Sequence, residues 1–148
     1  MGTRAVYIFN DKEQAFSVYG HWDGYPEHAA ANLIKTLEYA WPLPRFEASD
    51  FAAAFIAGNK KEGGGDVYFT KGPNAHGDLE YIYELHQNKL GGLMIRAFHA
   101  DWDDDKKKTT KKKFFDGSLC RFVDNYGDEE TKQLADNHWN LTPKAAAA

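Results

Sequence analysis

The chain has 148 residues, of which 43% are hydrophobic and 15% aromatic, and this composition excludes a wholly disordered polypeptide. Its formal net charge of −4 excludes attraction to nucleic acid or to an anionic membrane by the overall field, so any such binding needs a local basic patch. The single cysteine, Cys120, excludes an intramolecular disulfide bond and favours a reducing compartment.

The first two segments predict an antiparallel β-hairpin. Residues 3–9 and 14–19 both mix β-branched with aromatic side chains, and the polar segment 10–13 separates them. Two strands joined by so short a polar turn are expected to pair with each other in antiparallel fashion.

Two helices are predicted next. Apolar residues recur at a spacing of three and four up to Trp41, which is typical of one helical face, and Pro26 suits the first helical position. This helix should end near Trp41, because the prolines that follow cannot continue it. A shorter helix should begin at Ser49 or Asp50, which are good N-caps, and stop at Gly58-Asn59.

The middle of the chain predicts three strands. Residues 66–70 follow a glycine-rich loop and mix β-branched with aromatic side chains. Residues 79–86 and 93–99 predict a second hairpin, because large apolar side chains occupy every second position from Leu79 to Leu85.

The last third of the chain changes character at residue 101. In residues 101–113 four aspartates precede six lysines with no aliphatic residue among them, which predicts a solvated or mobile charged loop. Residues 114–123 then predict a strand, and residues 143–148 a disordered or frayed tail. A terminal helix is predicted over 128–139, with the following residues turned inward: Leu134, Ala135, His138 and Trp139.

The order of these elements predicts the fold class. Strands grouped as hairpins, with helices between the groups, favour an α+β fold over a parallel α/β fold. We expect one domain over residues 1–142, built from a mostly antiparallel sheet, two helices packed on one face and a short C-terminal helix.

The octet HWDGYPEH, residues 21–28, is suited to binding a metal ion. Histidine nitrogens and carboxylates are ligands for zinc or a similar ion. His21 and Asp23 are two apart in an extended segment, and His28 on the first helical turn could complete the set. However, the octet contains no H-x-x-x-H or H-E-x-x-H pair, and no cysteine lies near it.

The same octet is also explained as a turn before a helix, and we favour this interpretation. Asp23-Gly24 would form the turn and Pro26 would start the helix. Trp22 and Tyr25 would then pack on the core, and the two imidazoles would have no ligand role.

Other catalytic patterns are weak. His86 and His99 lie in the predicted hairpin with Glu84 and Asp101 nearby, but exposed sheet faces carry such residues without function. Cys120 lies in an apolar segment that suits an unreactive core thiol. We therefore assign no catalytic residue, expect no cofactor and favour a protein that is not an enzyme.

Nucleic-acid binding is favoured by the lysine run and the two phenylalanines that follow it. Lysines neutralise phosphates and aromatic rings stack on unpaired bases. Against this, the preceding aspartates would repel a phosphate backbone, and a core position suits Phe114 and Phe115 better. The candidate contacts are Lys106, Lys107, Lys108, Lys111, Lys112 and Lys113.

Protein binding is indicated by large aromatic residues and arginine, which are enriched in interface hot spots. Trp102 is the hardest of the tryptophans to bury, because it lies among aspartates, and is expected to be an exposed anchor. The candidate binding residues are Arg4, Trp22, Asp23, Tyr25 and Trp102.

Two stretches together resemble a family of small uncharacterised proteins from phages and bacterial mobile elements. These are the start MGTR and the segment VYGHWDGYPEH, and the stretches YAWPLPRFEASDFAAAFIAGNK and HGDLEYIYEL are similar to one branch of that family. The resemblance extends over about residues 1–100. The positions that match its shared motif are Arg4, Trp22, Asp23, Gly24, Tyr25 and Pro26.

The resemblance implies an accessory protein of a phage or mobile element, and the family's genomic setting suggests a role in counter-defence. We expect a soluble protein in the cytoplasm of the bacterial host, because no signal peptide and no apolar run of about 20 residues is present. Its expected partner is a host or phage protein, with nucleic acid as the alternative and no membrane contact. A small metal-dependent enzyme built on the octet remains the alternative function. The oligomeric state is left open.

Overall fold

The computed structural model describes residues 3–139 of the chain. Within these residues six strands form a sheet in the order β3-β2-β1-β4-β5-β6, and four helices are present. The strands are β1 (Ala5–Asn10), β2 (Ala15–Gly20), β3 (Val67–Thr70), β4 (Tyr81–Gln87), β5 (Leu93–Asp103) and β6 (Lys108–Ser118). The helices are α1 (Pro26–Leu37), α2 (Ala48–Asn59), α3 (Leu119–Tyr126) and α4 (Glu129–Trp139).

The predicted fold class is confirmed: the chain is α+β with a mostly antiparallel sheet and a short C-terminal helix. Both predicted hairpins are present as β1–β2 and β4–β5. They join each other through β1 and β4, which pair in parallel, whereas every other neighbouring pair is antiparallel.

The main core lies between one face of the sheet and the helices. Tyr7 and Phe9 are two positions apart on β1 and therefore point to the same face. The Tyr7 ring lies 4.4 Å from that of Phe55, and the Phe9 ring 5.4 Å from that of Phe51, both on α2. Buried residues of α1, α3 and α4 belong to the same cluster: Ala29, Ala30, Leu33, Ile34, Leu37, Leu119, Phe122, Val123 and Ala135.

Helix α1 ends four residues earlier than predicted. The carbonyl oxygen of Thr36 accepts hydrogen bonds from the backbone N–H groups of Tyr39 and Ala40, which closes the helix in a turn. The backbone N–H of Trp41 then bonds to Oδ2 of Asp50 at 3.0 Å, so this residue already belongs to the connection to α2. The helical conformation is disfavoured for a residue that precedes proline, so Trp41 is a poor position for continuing the helix.

The prediction of a charged loop over residues 101–113 is wrong. Strand β5 continues to Asp103 and β6 starts at Lys108, so only residues 104–107 form the turn between them. Asp103 lies opposite Lys108 in the ladder, although no ion pair joins their side chains. The pairing shifts at Ala97, so that Phe114 is an extra residue without a partner across the ladder, which is a β-bulge.

The strand predicted over 114–123 ends at Ser118, where α3 begins. The Ser118 hydroxyl oxygen accepts the backbone N–H of Arg121 at 3.1 Å, which is the side-chain N-cap bond of this helix. Cys120 therefore lies on a helix and not in an apolar strand, and partial burial raises the pKa of its thiol. This supports the expected unreactive cysteine.

The terminal helix is confirmed as α4. Oδ1 of Asp128 accepts the backbone N–H of Thr131 at 2.8 Å, just before the first residue of this helix. Ala135 is buried and Leu134 is half-buried, as predicted. The predicted tail 143–148 and the side chain of Trp139 lie outside the described residues.

Over residues 3–139, no helix has both the length and the apolar character that crossing a membrane requires.

Candidate functional site

The WDGYP turn is held against the sheet at Gly24. Its N–H donates to the carbonyl oxygen of Thr3 at 2.9 Å, and its own carbonyl oxygen accepts from the buried Tyr83 hydroxyl at 2.6 Å. A Cβ atom at Gly24 would lie 2.7 Å from the Thr3 carbonyl oxygen, closer than real Cβ atoms approach oxygen. The close approach of two backbones thus requires glycine at this position.

The turn presents two aromatic side chains at the surface. Trp22 is 44% exposed and Tyr25 is 53% exposed, so the expectation that both pack on the core is wrong. The ring of Tyr25 lies 6.0 Å from that of Tyr81 on β4, whereas Trp22 lines a cleft beside α1 and α2. The two hydrogen bonds of Gly24 therefore hold the backbone that carries two exposed rings, and these rings have different neighbours.

The three predicted metal ligands do not form a site. Nδ1 of His28 lies 3.1 Å from Oδ1 of Asp23, but Nδ1 of His21 is hydrogen-bonded to the hydroxyl of Tyr19 at 2.9 Å. Over residues 3–139, no group of three or more His, Cys, Asp or Glu side chains is placed to hold a metal ion. The turn therefore brings Asp23 and His28 together, whereas His21 points toward β2.

Two other predicted binding residues are engaged in contacts within the chain. Nε of Arg4 is 2.9 Å from Oδ2 of Asp78, an ion pair without hydrogen-bond alignment. Trp102 is half-buried, and its indole ring covers Gly77 at van der Waals distance, so it is not the exposed anchor that the sequence predicted. Trp102 packs on the loop that contains Gly77, which explains how a tryptophan among aspartates is partly buried.

The alternation of β6 sorts the predicted lysines into two groups. Nζ of Lys111 lies 2.6 Å from Glu84, and Nζ of Lys113 lies 2.9 Å from Asp116. In the turn, Lys107 pairs with Asp104 at 2.9 Å. Of these six lysines, all within the described residues, three have no carboxylate partner: Lys106, Lys108 and Lys112.

An aromatic surface lies on the helix side of β4, β5 and β6. The His99 ring is 4.6 Å from that of Phe114 and 5.3 Å from that of Tyr81, and the Phe114 ring is 5.9 Å from that of Tyr126. Tyr25 completes the set through its contact with Tyr81. We call these residues the aromatic face: Tyr25, Tyr81, His99, Phe114 and Tyr126.

Two of the unpaired lysines lie on the same side of the hairpin as the aromatic face. Lys112 is directly opposite His99 in the ladder, and Lys108 is opposite Asp103, four positions further along β5. Side chains at every second position of a strand point to the same face, so Lys108, Lys112 and His99 share one side. Both lysines are exposed.

The same side also carries two carboxylates. Oδ1 of Asp101 accepts the backbone N–H of Trp102 at 2.9 Å, and Oδ1 of Asp103 accepts two backbone N–H groups of the turn at 3.1 Å. These bonds occupy one oxygen of each acid. Two lysines and two carboxylates therefore share this side, and within the described residues none of the four forms an ion pair.

The histidine pair considered for acid–base chemistry is not assembled. His86 lies opposite Met94, and His99 lies opposite Tyr81, so the two are five positions apart along the hairpin. An odd separation also places them on opposite faces of the sheet. The two histidines therefore cannot act together on one substrate.

Comparison of the chain with protein-family models, with curated proteins and with solved structures gives no match. The phage or mobile-element origin therefore stays a prediction from the sequence resemblance. The sequence did not reveal the aromatic face, because its five residues come from distant positions. No local signal marks this face, since residues 108–113 do not alternate in residue type and the pairing of each lysine depends on the fold.

Proposed function

We propose that this protein is a non-catalytic accessory protein that binds single-stranded nucleic acid on the aromatic face of the β5–β6 hairpin. The observation that carries the proposal is the position of unpaired Lys112 directly opposite His99, whose ring contacts Phe114 and Tyr81. A cation beside half-exposed rings is the combination that binds a phosphate backbone and its bases together.

Each part of the face has a role in this binding. Lys108 and Lys112 neutralise phosphates, and release of counterions drives association. The rings of His99, Phe114 and Tyr81 stack on bases, which is tolerant of sequence because every base has a π-face. Single strands are preferred over duplexes, since bases within a duplex are already stacked and do not reach the rings.

The net charge of the chain limits the expected affinity for single-stranded nucleic acid. With a net charge of −4 and two carboxylates on the binding side, affinity should be modest and strongly dependent on salt. Asp101 is the nearer acid to Lys112, because its ladder partner is Thr110. Binding is therefore best measured at low ionic strength.

The sequence resemblance supports the accessory part of the proposal, with counter-defence as the expected setting. Nucleic acid replaces a protein as the favoured partner, because Trp102 is half-buried and Arg4 is paired with Asp78. The metal-dependent alternative is disfavoured, since His21 does not join Asp23 and His28 in one group.

The decisive experiment compares two double variants of equal charge. Lys108→Gln with Lys112→Gln removes the unpaired lysines, and Lys111→Gln with Lys113→Gln removes the paired ones. The affinity for a labelled single-stranded oligonucleotide should fall about tenfold in the first and change little in the second. Loss of two phosphate contacts should also reduce the slope of log K against log salt by about 1.4 in the first variant.

Equal effects of the two double variants would show that the net charge alone is responsible and would contradict the proposal, as would the absence of binding at low salt. His99→Ala provides an independent check of stacking. It should weaken binding by about 1–3 kcal/mol if a base stacks on this ring. Thermal unfolding of each variant verifies that the hairpin is intact.

A further inference from the structure

Strand β6 continues past the lysines to Gly117, and an arginine of helix α3 lies over that glycine. A Cβ atom at Gly117 would lie 3.5 Å from Nη1 of Arg121 and 3.3 Å from Cζ of Phe115. The guanidinium group and the Phe115 ring therefore meet above the same backbone position. Glycine leaves this position open, because a larger side chain would compete with both groups for the space.

The ring of Phe115 connects Arg121 with the aromatic face. It lies 6.0 Å from the ring of Tyr126, which is itself 5.9 Å from that of Phe114. Phe115 is half-buried and Arg121 is exposed. A continuous series of ring contacts thus runs from His99 to Phe115, and the guanidinium group lies at its end.

Three cations, Lys108, Lys112 and Arg121, are evenly spaced along this side of the hairpin. The β6 positions beneath them lie opposite every fourth residue of β5, and residues at even separations on a strand point to the same face. At about 3.3 Å per residue, neighbouring positions are about 13 Å apart and the series is about 26 Å long. The pairs across the ladder are Lys108 with Asp103, Lys112 with His99, and Gly117, beneath Arg121, with Ile95.

The carboxylates nearest to Arg121 in the sequence do not neutralise it. Asp116 is adjacent to Gly117 in the strand and therefore points to the opposite face. Asp124 is three positions from Arg121 on α3, but within the described residues Arg121 forms no ion pair. The charge of Asp124 instead raises the pKa of the Cys120 thiol, after the larger effect of burial. The Arg121 end thus differs from the lysine end, whose side also carries two carboxylates.

We propose that Arg121 is a third phosphate contact of the nucleic-acid site, so that a single strand lies along β6 from Lys108 to Arg121. This inference rests on the proposed function of the aromatic face. A guanidinium group binds phosphate through two parallel hydrogen bonds and also stacks on rings, so it holds the end of the strand in a defined orientation. A stacked strand advances about 3.4 Å per nucleotide and an extended strand more, so about eight nucleotides or fewer cover the site.

The test is fluorescence anisotropy of the full chain with labelled thymidine oligonucleotides of about 4 to 16 nucleotides at low salt. Affinity should rise with length up to about eight nucleotides and then change little. Arg121→Gln should weaken the binding of the longer oligonucleotides about threefold and reduce the slope of log K against log salt by about 0.7. It should also move the plateau to a shorter length, because the strand loses its contact at one end.

Two further variants separate a direct contact from a change in net charge. Lys12→Gln removes an exposed lysine of the β1–β2 turn that has no ion pair within the described residues, and it should change the affinity little. Arg121→Lys keeps the charge and should retain the salt slope while it loses part of the affinity, since lysine lacks the planar fork of the guanidinium group. Thermal unfolding checks that α3 is intact, because the Ser118 cap binds the backbone N–H of Arg121 and not its side chain.

Equal effects of Arg121→Gln and Lys12→Gln, or a plateau at the same length in Arg121→Gln as in the unaltered chain, would overturn the inference. In that case a loss of affinity in the Lys108→Gln, Lys112→Gln variant would still support the lysine site. Absence of binding by every oligonucleotide would instead refute the proposed function and this extension of it together.

Discussion

The hydroxyl of Tyr83 donates a hydrogen bond of 2.6 Å to the carbonyl oxygen of Gly24, which precedes it by 59 positions. Tyr83 is fully buried at the centre of the sheet, and burial raises the pKa of its hydroxyl, which therefore remains protonated as a donor. Through this bond the strand that carries the aromatic face also holds the turn that carries Trp22.

We expect Tyr83→Phe to lower the free energy of unfolding by about 1–3 kcal/mol, because the Gly24 carbonyl would be left buried without its donor. Urea unfolding followed by far-ultraviolet circular dichroism measures the change. Tyr39→Phe is the matched control, since this tyrosine is 59% exposed. A loss equal to that of the control would contradict the structural role assigned to the bond.

Gly24→Ala should destabilise the fold by about 1–3 kcal/mol, because the added methyl group would meet the Thr3 carbonyl oxygen at 2.7 Å. Gly64→Ala is the comparison, as a Cβ atom there has nothing within 4 Å. It should change the free energy of unfolding by less than about 0.5 kcal/mol. Thermal denaturation of both variants decides the point, and similar melting temperatures would show that the turn can move away from β1.

The stability of the protein should fall as the pH drops below 6.5. Burial lowers the pKa of His76, His86 and His138 from 6.5, so the unfolded chain takes up protons that the folded chain does not. For His86 the positive charge of Arg96 adds to the effect, and its Nδ1 is buried without a partner. The loss continues until the pH reaches the lowered pKa of each folded-state imidazole.

His86→Gln should therefore reduce the slope of unfolding free energy against pH in the range of about pH 5–6.5. Chemical denaturation at a series of pH values gives this slope directly. His28→Gln, at an exposed position, serves for comparison. An unchanged slope in His86→Gln would mean that this imidazole is protonated in the folded protein as readily as in the unfolded chain.

Asp101→Asn should increase the affinity for single-stranded oligonucleotides severalfold at low salt, because it removes a negative charge from the side of the hairpin that carries Lys112. The amide oxygen can still accept the N–H of Trp102, so the hairpin should be retained. Fluorescence anisotropy measures the affinity. Glu13→Gln, which removes one charge from the exposed β1–β2 turn, should have a smaller effect. Equal gains in both variants would assign the increase to net charge.

The two hairpins were predictable because alternation and turn residues are local signals. The parallel pairing of β1 with β4 was not, since it joins segments that have no turn between them. The extension of β5 and β6 over residues 101–113 was not predicted either, because the lysine run contains no aliphatic residue and resembles a solvated loop. β6 is at the edge of the sheet, where lysine is compatible with a strand and discourages pairing with other chains.

The turn at Gly24 was anticipated from its residue types, but the fate of its aromatic rings was not. Asp-Gly before proline predicts a change of direction from local geometry alone. Whether Trp22 and Tyr25 are buried depends on what α1, α2 and β4 leave uncovered.

The bulge at Phe114 has a consequence for how the hairpin is assembled. The pairs Ala97–Phe115 and Phe98–Lys113 are consecutive on β5, so the ladder would be continuous if Phe114 were deleted. Every lysine would keep its opposite residue, and only one ring would leave the surface. Insertion or deletion of this one residue would therefore add or remove a ring that can stack on a base, while each lysine keeps the same partner across the ladder.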